Sequence, residues 1–160
     1  MKKESTIPKA LAFIGLILVG VGVFFGIRHI LEKQEEQKRM EEVKEVGALP
    51  DLRINMNGKF YTAKVEVSYA TKKFVEELPI EVKMEKRGLL ISGYTYFKLP
   101  VEPKKIKNVK KGDILIVDDS HIAIAIDSFE SSNRYTLVGH IDNLGKVPSS
   151  DIIVGINKKD

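Results

Sequence analysis

The chain of 160 residues contains neither cysteine nor tryptophan. Without cysteine it can form no disulfide, no thiolate metal site and no cysteine nucleophile. Without tryptophan it cannot build a binding cage from indole rings. Histidine is also scarce, with three in the whole chain, which argues against a metal centre built on imidazoles. We therefore expect no metal ion and no cofactor.

Charged and hydrogen-bonding side chains are absent from residues 10–27, ALAFIGLILVGVGVFFGI. At 1.5 Å per residue this stretch spans about 27 Å, close to the hydrocarbon thickness of a bilayer. The Gly20-Val21-Gly22 segment is a poor cleavage site, because cleavage there would leave an apolar VFFGI behind. The pattern predicts an uncleaved signal anchor with the lipid bilayer as partner. The GxxxG spacing of Gly22 and Gly26 predicts weak dimerisation through this helix.

Residues 28–46 are rich in Glu, Lys and Arg, with i,i+4 pairs such as Arg28/Glu32 that favour a helix. The apolar residues there do not fill heptad positions, so a solvated stalk is expected rather than a coiled coil. Lys and Arg flank the apolar stretch on both sides and do not decide the membrane orientation. The predicted organisation is a tail at 1–9, a transmembrane helix at 10–27, a stalk at 28–50 and a folded domain at 51–160.

The folded domain is predicted to be mainly β. Asn57-Gly58 lies between two alternating runs, which is a strong hairpin signal. Ser68 is a suitable N-cap for a short helix over 69–78, ended by Pro79. Seven or eight short strands with one main helix and no βαβ repeat predict a small antiparallel or mixed barrel.

Residues 112–142 read as three strands that contain a Ser, two His and several Asp. The apolar run 114–117 is typical of a strand buried on both faces. On the third strand, alternation places Tyr135, Leu137, Gly139 and Ile141 on one face. The polar residues here also allow a hydrolase triad or a metal site, although neighbouring Ser and His on a strand point to opposite faces. The residues for such a site are Ser120, His121 and His140 with Asp118, Asp119 or Asp142.

Six segments in this order resemble the bacterial cyclophilin-like domain of uncharacterised secreted or membrane-attached proteins. They are INMNGKFYTAKVE, EELPIEV, YFKLP, KKGDILIV, HIAIAI and YTLVGHIDNL. The resemblance covers nearly all of residues 51–156. It implies a closed β-barrel with a helix against one opening, and an exported protein. We therefore expect a single-pass protein of the cell membrane with its C-terminal domain outside the cytoplasm.

The resemblance to peptidyl-prolyl isomerases extends to the fold and not to their signature. Those enzymes carry an F-H-R-V run and a Gly-Gly-Asp segment, whereas here Phe97 is followed by Lys98 and no Gly-Gly-Asp occurs. The segments GDILIV and VPSSDIIVGI also look faintly like type I signal peptidases. Residues 28–67 contain no Ser, however, so the nucleophile is missing from its expected place.

The leading functional hypothesis is a membrane-anchored, non-catalytic module that binds a peptide, a protein or a small ligand at the open end of the barrel. The alternative is a prolyl isomerase with a non-standard site, and a serine hydrolase is the weaker third. No nucleic-acid partner is expected, because the lysines of 104–111 lie in one loop and not along a groove. The predicted ligand-binding side chains are Tyr94, Tyr96, Phe97, His121, Phe129, Tyr135 and His140.

Overall fold

The computed structural model describes residues 27–38, 41, 48–148 and 151–159. The chain divides into two compact units, Met1–Glu41 and Glu42–Asp160. The predicted transmembrane stretch 10–27 lies outside the described residues except for Ile27, and so does the Gly22/Gly26 pair. Within the part that is described, no helix has the length and apolar character needed to cross a membrane. The anchor and its dimerisation therefore stay predictions.

In the first unit, helix α1 is described at residues 27–38 and 41 and is exposed throughout. The predicted pair of Arg28 and Glu32 is confirmed, with 3.9 Å between Arg28 Nε and Glu32 Oε1. Both side chains are more than half exposed, so the pair adds little stability. The described part of α1 thus agrees with the prediction of a solvated helix.

The second unit contains one described helix and a set of short strands, all within residues 52–158. The helix is α2 (Tyr69–Glu76), and the strands are β1 (Leu52–Met56), β2 (Lys59–Val65), β3 (Ile80–Arg87), β4 (Leu90–Tyr94), β5 (Lys104–Lys105), β6 (Asn108–Val109), β7 (Asp113–Ile116), β8 (His121–Ala125), β9 (Phe129–Glu130), β10 (Arg134–Ile141) and β11 (Ile152–Lys158).

Eight of these strands form a closed antiparallel barrel, which confirms the predicted fold. Their order is β2-β1-β11-β3-β4-β8-β7-β10, and β10 pairs back onto β2 to close the ring. Closure removes the exposed strand edges that would otherwise invite aggregation. β5 extends β10 at its start, while β6 and β9 form a separate two-stranded ribbon.

The β1–β2 hairpin turns at Asn57-Gly58, as predicted. Both residues have positive φ angles, 50° and 80°, which matches the turn that suits the twist of a hairpin. The Gly58 N–H donates to Asn55 Oδ1 at 3.0 Å, so the turn is held from within. Val67 lies beyond the end of β2 and is 55% exposed.

The interior of the barrel is filled by apolar side chains that alternate along the strands. The fully buried members include Leu52, Ile54, Met84, Ile91, Ile114, Ile122, Ile124 and Ile156. Burial of this kind supplies the main stabilising free energy of a small domain. A packed interior also means that a ligand must bind on the outside of the barrel or at its ends.

Helix α2 covers the core with one face. Ser68 caps it, since its side-chain oxygen accepts from the Thr71 N–H at 3.0 Å, and Phe74 and Val75 are buried in the main core. The helix ends at Glu76, two residues before the predicted end at Leu78. The reason is that Pro79 disfavours helical geometry in the residue before it.

A β-bulge at Val138 overturns the predicted alternation of β10. Leu137 pairs with Leu115 and Gly139 with Ile114, so Val138 is an extra residue without a partner on β7. The bulge exchanges the two faces of the strand. As a result Tyr135 and Leu137 lie on the outside of the barrel, while Val138 and Ile141 belong to the core.

A second, smaller apolar cluster lies outside the barrel wall. It is formed by Leu115 and Ala125 of the barrel with Val109 and Tyr135, all buried, and Phe129 packs against it. The β6–β9 ribbon supplies Val109 and Phe129 and so covers this face of the sheet. This cover explains why all four residues of β7 are buried, as the apolar run predicts.

Candidate functional site

The predicted ligand-binding side chains form four contact groups in the described part of the barrel, and Tyr94 of the first group is two residues before Tyr96 of the second. Tyr94 and His121 stack on each other, Tyr96 and Phe97 line a cleft, Phe129 and Tyr135 belong to the second apolar cluster, and His140 pairs with Asp113. His121 and His140 are near opposite ends of β7, roughly 13 Å apart along the strand at ~3.3 Å per residue. One small ligand cannot contact both.

Tyr94 and His121 are cross-strand partners on the outer face of the barrel. Tyr94 ends β4, His121 begins β8, and the register places them opposite each other. Their ring centroids are 3.6 Å apart and the rings are tilted by 39°. His121 is largely covered, whereas Tyr94 remains 61% exposed. The stack therefore presents a fixed tyrosine ring to solvent.

Asp118 holds the turn that precedes His121. Its Oδ1 accepts from the Ser120 N–H, the Ser120 hydroxyl and the His121 N–H at 2.9, 3.0 and 2.9 Å. Its Oδ2 is 3.1 Å from His121 Nδ1. The hydrogen bond from the Ser120 N–H is the main cause that lowers the pKa of Asp118 below its ordinary value of 3.8. The turn also orients the imidazole of His121.

This arrangement is not that of a hydrolase triad. In a triad the imidazole lies between the hydroxyl that it deprotonates and the carboxylate that orients it. Here the Ser120 hydroxyl and the His121 ring both bond to the same carboxylate, that of Asp118. His140 is bonded to Asp113 and not to Asp118, Asp119 or Asp142. Among the described residues no cluster of His, Asp and Glu could hold a metal ion.

Tyr96 and Phe97 line a cleft of about 420 Å³ that follows the end of β4. Tyr96 is 99% exposed, and Phe97 packs partly against the main core. The opposite wall is formed by residues that the sequence interpretation missed: Glu77, Pro79, Ile80, Glu81 and Val82. We call this the Tyr96 cleft, and we call Tyr94, Tyr96, Phe97 and His121 together the aromatic patch.

Phe129 and Tyr135 have a packing role in the structure. Tyr135 is 4% exposed within the second apolar cluster, and its hydroxyl accepts from Asn133 Nδ2 at 3.3 Å. Phe129 is half-buried against the same cluster. The bulge at Val138 is what turns Tyr135 towards this cluster, and no pattern in the sequence marks that bulge.

His140 lies on the outer face of β10 and is paired with a buried carboxylate. Its Nδ1 is 2.8 Å from Asp113 Oδ1, and Asp113 Oδ2 accepts from the Lys110 N–H at 2.8 Å. Asp113 is 6% exposed. The pair links β7 and β10 to the loop before β7. A structural role in holding these elements together therefore accounts for the position of His140.

The arginines of the described barrel make their contacts outside the aromatic patch. Arg134 donates to the Pro103 carbonyl through Nε and Nη2 at 3.1 and 2.9 Å. Arg87 is 3.7 Å from Glu85, and the guanidinium of Arg53 lies over the Phe60 ring. None of these contacts involves the aromatic patch.

Comparison with known proteins gives one family and one solved structure. The model of a cyclophilin-like family matches residues 54–156. The solution structure of a hypothetical protein from Archaeoglobus fulgidus is similar in fold, with a TM-score of 0.56 and 18% identity. That similarity covers 72% of this chain and 98% of the archaeal one. A search of curated proteins found no significant match.

Proposed function

The chain belongs to the cyclophilin-like family, and from this premise we propose that its barrel binds a peptide segment of a partner protein without catalysis. The binding surface is the aromatic patch together with the Tyr96 cleft. One observation carries the proposal, namely that Tyr96 is 99% exposed at the cleft and that Tyr94, two residues before it in the chain, is 61% exposed. Exposed aromatic surface of this kind is typical of protein interaction sites.

The structure of the patch suits an extended peptide. Tyr94 is held in place by its stack on His121, which in turn is fixed by Asp118. An aromatic side chain that is already held in one conformation loses little conformational entropy on binding. The Tyr96 cleft offers apolar walls from Phe97 and Val82 for a side chain of the peptide.

The charges around the cleft indicate the chemistry of the partner. Its charged lining residues are Glu77 and Glu81, both exposed carboxylates. Neither side chain is engaged in an ion pair with another described residue. A peptide with an apolar residue flanked by Lys or Arg is therefore the complementary ligand.

The absence of a guanidinium from the contacts of the patch supports binding over catalysis. A prolyl isomerase of the known kind needs a charge that stabilises the twisted amide in the transition state. The aromatic patch offers rings, one imidazole and nearby carboxylates instead.

The test is a selection of peptides from a random library with the full chain in detergent solution, followed by affinity measurement with a labelled peptide. We expect enrichment of sequences with an apolar residue beside Lys or Arg. Tyr96→Ala should lower the affinity for the selected peptide by about tenfold to thirtyfold, which is the effect expected for a hot-spot residue of an interface. Phe60→Ala is the matched control, because Phe60 is also an exposed aromatic, 58% exposed, outside the patch.

The same preparation is to be assayed for prolyl isomerisation of a test peptide. We expect the rate to equal that of buffer alone. Catalysis that disappears in His121→Ala would overturn the binding-module proposal in favour of a non-standard isomerase. Selected peptides that bind Tyr96→Ala as tightly as the unmodified protein would overturn the proposed site.

We also propose that residues 10–27 anchor the protein in the cell membrane with the barrel outside the cytoplasm. The support is the length and apolar character of this stretch. The test is protease digestion of intact cells, with detection of the C-terminus. Digestion of the barrel in intact cells agrees with the proposal, and protection until lysis contradicts the orientation.

A further inference from the structure

A second cleft, of about 550 Å³, lies on the outer face of strands β1, β2, β11 and β3. We call it the Gly155 cleft. Its lining residues are Arg53, Asn55, Phe60, Leu78, Pro79, Glu81, Gly155, Asn157 and Lys158. Its volume is in the range of small-molecule sites. Unlike the Tyr96 cleft, it is surrounded mainly by polar side chains.

Gly155 creates the depth of this cleft. The strand register places Phe60, Asn55, Gly155 and Glu81 in one row across four strands. The neighbours of Asn55 on β1, Ile54 and Met56, are buried in the core, so this row faces outward. Since Gly155 has no side chain, the row contains a gap one side chain deep between Asn55 and Glu81.

The polar groups around the gap have hydrogen-bonding capacity that the described part of the protein does not use. Asn55 Oδ1 accepts from the Gly58 N–H, which leaves its NH₂ group available. Glu81, Asn157 and Lys158 are exposed, and their side chains make no hydrogen bond or ion pair with a described residue. Amide and carboxylate groups in such a ring match a ligand with several hydroxyl groups.

Phe60 and Arg53 form a wall of this cleft. The Arg53 guanidinium lies 4.4 Å from the centre of the Phe60 ring, and Phe60 is 58% exposed. A smaller cleft of about 270 Å³ shares both residues and Lys158, and adds Lys159. The surface therefore combines an aromatic ring with three cations and one carboxylate.

We propose that the Gly155 cleft binds an acidic saccharide, with a uronic acid unit in the gap. The carboxylate of the sugar pairs with Arg53 and Lys158, and its hydroxyl groups bond to Asn55, Asn157 and Glu81. The apolar CH face of the sugar ring packs on Phe60. The Gly155 cleft adjoins the proposed peptide site, because Pro79 and Glu81 line both clefts.

The test is NMR titration of the ¹⁵N-labelled full chain in detergent with a trigalacturonate, compared with neutral maltotriose and with citrate. We expect saturable shifts at residues 53, 55, 60, 155 and 157 with trigalacturonate, and binding at least about tenfold weaker for the other two probes. No saturable shift up to ~10 mM trigalacturonate would overturn the proposal. Equal binding of citrate would overturn it too, because attraction of any polyanion would then be sufficient.

Gly155→Val is the sharpest variant, because it fills the gap and leaves every polar group in place. A Cβ at this position meets only the Asn55 Cβ, at 3.6 Å, so the first added carbon fits, and Gly155→Ala gives a milder second variant. The two Gly155 variants should each lower the affinity for trigalacturonate by at least about tenfold. Arg53→Ala should lower it to a similar extent. Arg87→Ala, another exposed arginine, and Tyr96→Ala should leave the affinity unchanged. Unchanged affinity in both Gly155 variants would contradict the assignment.

Discussion

Asp113 is the buried side chain on which the junction of β7 and β10 depends. It is 6% exposed, it accepts one hydrogen bond from the Lys110 N–H, and it pairs with His140. Asp113→Ala removes the acceptor of both contacts. Since Lys110 is exposed and the His140 side chain is 38% exposed, water can reach both partners, so the loss is that of ordinary hydrogen bonds, about 0.5–1.5 kcal/mol each or about 1–3 kcal/mol together. We expect the free energy of unfolding, measured by urea denaturation, to fall by that amount.

Asp142 provides the matched control for this experiment. It is an exposed aspartate one residue after β10, and no described hydrogen bond or ion pair involves its side chain. Asp142→Ala should change the free energy of unfolding by less than about 0.5 kcal/mol. An equal effect of the two substitutions would show that Asp113 has no special structural role.

Asp118 gives a pH dependence with a definite sign. Its pKa is lowered in the folded protein below the ordinary 3.8, mainly by the hydrogen bond from the Ser120 N–H. The stabilisation is therefore fully present above pH 3.8 and is lost as the pH falls through the lowered pKa. Because Asp118 is exposed and screened by solvent, the effect should stay below about 1 kcal/mol.

The measurement compares the free energy of unfolding of the unmodified protein and of Asp118→Asn as a function of pH. We expect a constant difference near neutral pH that shrinks below pH 3.8. A difference that grows on acidification would contradict the assigned direction of the pKa shift.

Among the elements, the close pairing of β10 with β2 requires a residue without a side chain at position 139. A Cβ on Gly139 would collide with the carbonyl of Lys64 on the neighbouring strand β2. Gly139→Ala should therefore separate β10 from β2 and destabilise the protein by about 1–3 kcal/mol, the usual cost of overpacking. Thermal denaturation followed by circular dichroism measures this loss.

Gly155→Ala is the matched substitution in another barrel strand. Its Cβ makes only an ordinary contact with Asn55, and alanine costs less conformational entropy than glycine in a strand. The melting temperature of Gly155→Ala should equal or exceed that of the unmodified protein. Similar losses in both variants would mean that the close approach of β2 does not set the requirement for glycine at 139.

Elements with a local signal could be predicted from the sequence, and elements set by tertiary contacts could not. The Asn57-Gly58 turn and the Ser68 cap depend on the chemistry of a few neighbouring residues, and both are confirmed. The bulge at Val138 depends on the register between β7 and β10. That register arises from pairing of strands distant in sequence, and alternation alone therefore placed Tyr135 and Leu137 on the same face as Ile141, from which the structure separates them.

At the scale of the whole molecule, the barrel could be predicted because its strands are short, apolar and without a βαβ repeat. The grouping of the candidate site could not, because it depends on which way each side chain points from a curved wall. Tyr94 and His121 come together through the pairing of β4 with β8. Phe129 and Tyr135 face the second apolar cluster instead. The wall supplied by Glu77, Pro79 and Glu81 has no distinctive motif.

The barrel should fold without the first unit. All residues of the main core lie between Leu52 and Ile156 in the described part of the chain, and a domain with its own core can fold alone. A fragment of residues 48–160 should unfold in one cooperative transition by calorimetry and urea denaturation. A fragment that shows no cooperative transition would contradict the assignment of an independent barrel.

The proposed role of the closed, filled barrel is to bind a peptide on its outer aromatic patch. This role is tested by the map of ¹H–¹⁵N chemical-shift changes when the full chain is titrated with a selected Lys- or Arg-flanked peptide. We expect saturable changes centred on Tyr94, Tyr96, Phe97 and His121, lost in Tyr96→Ala and retained in Phe60→Ala. Changes centred on the His140–Asp113 pair instead, with the patch unaffected, would contradict it.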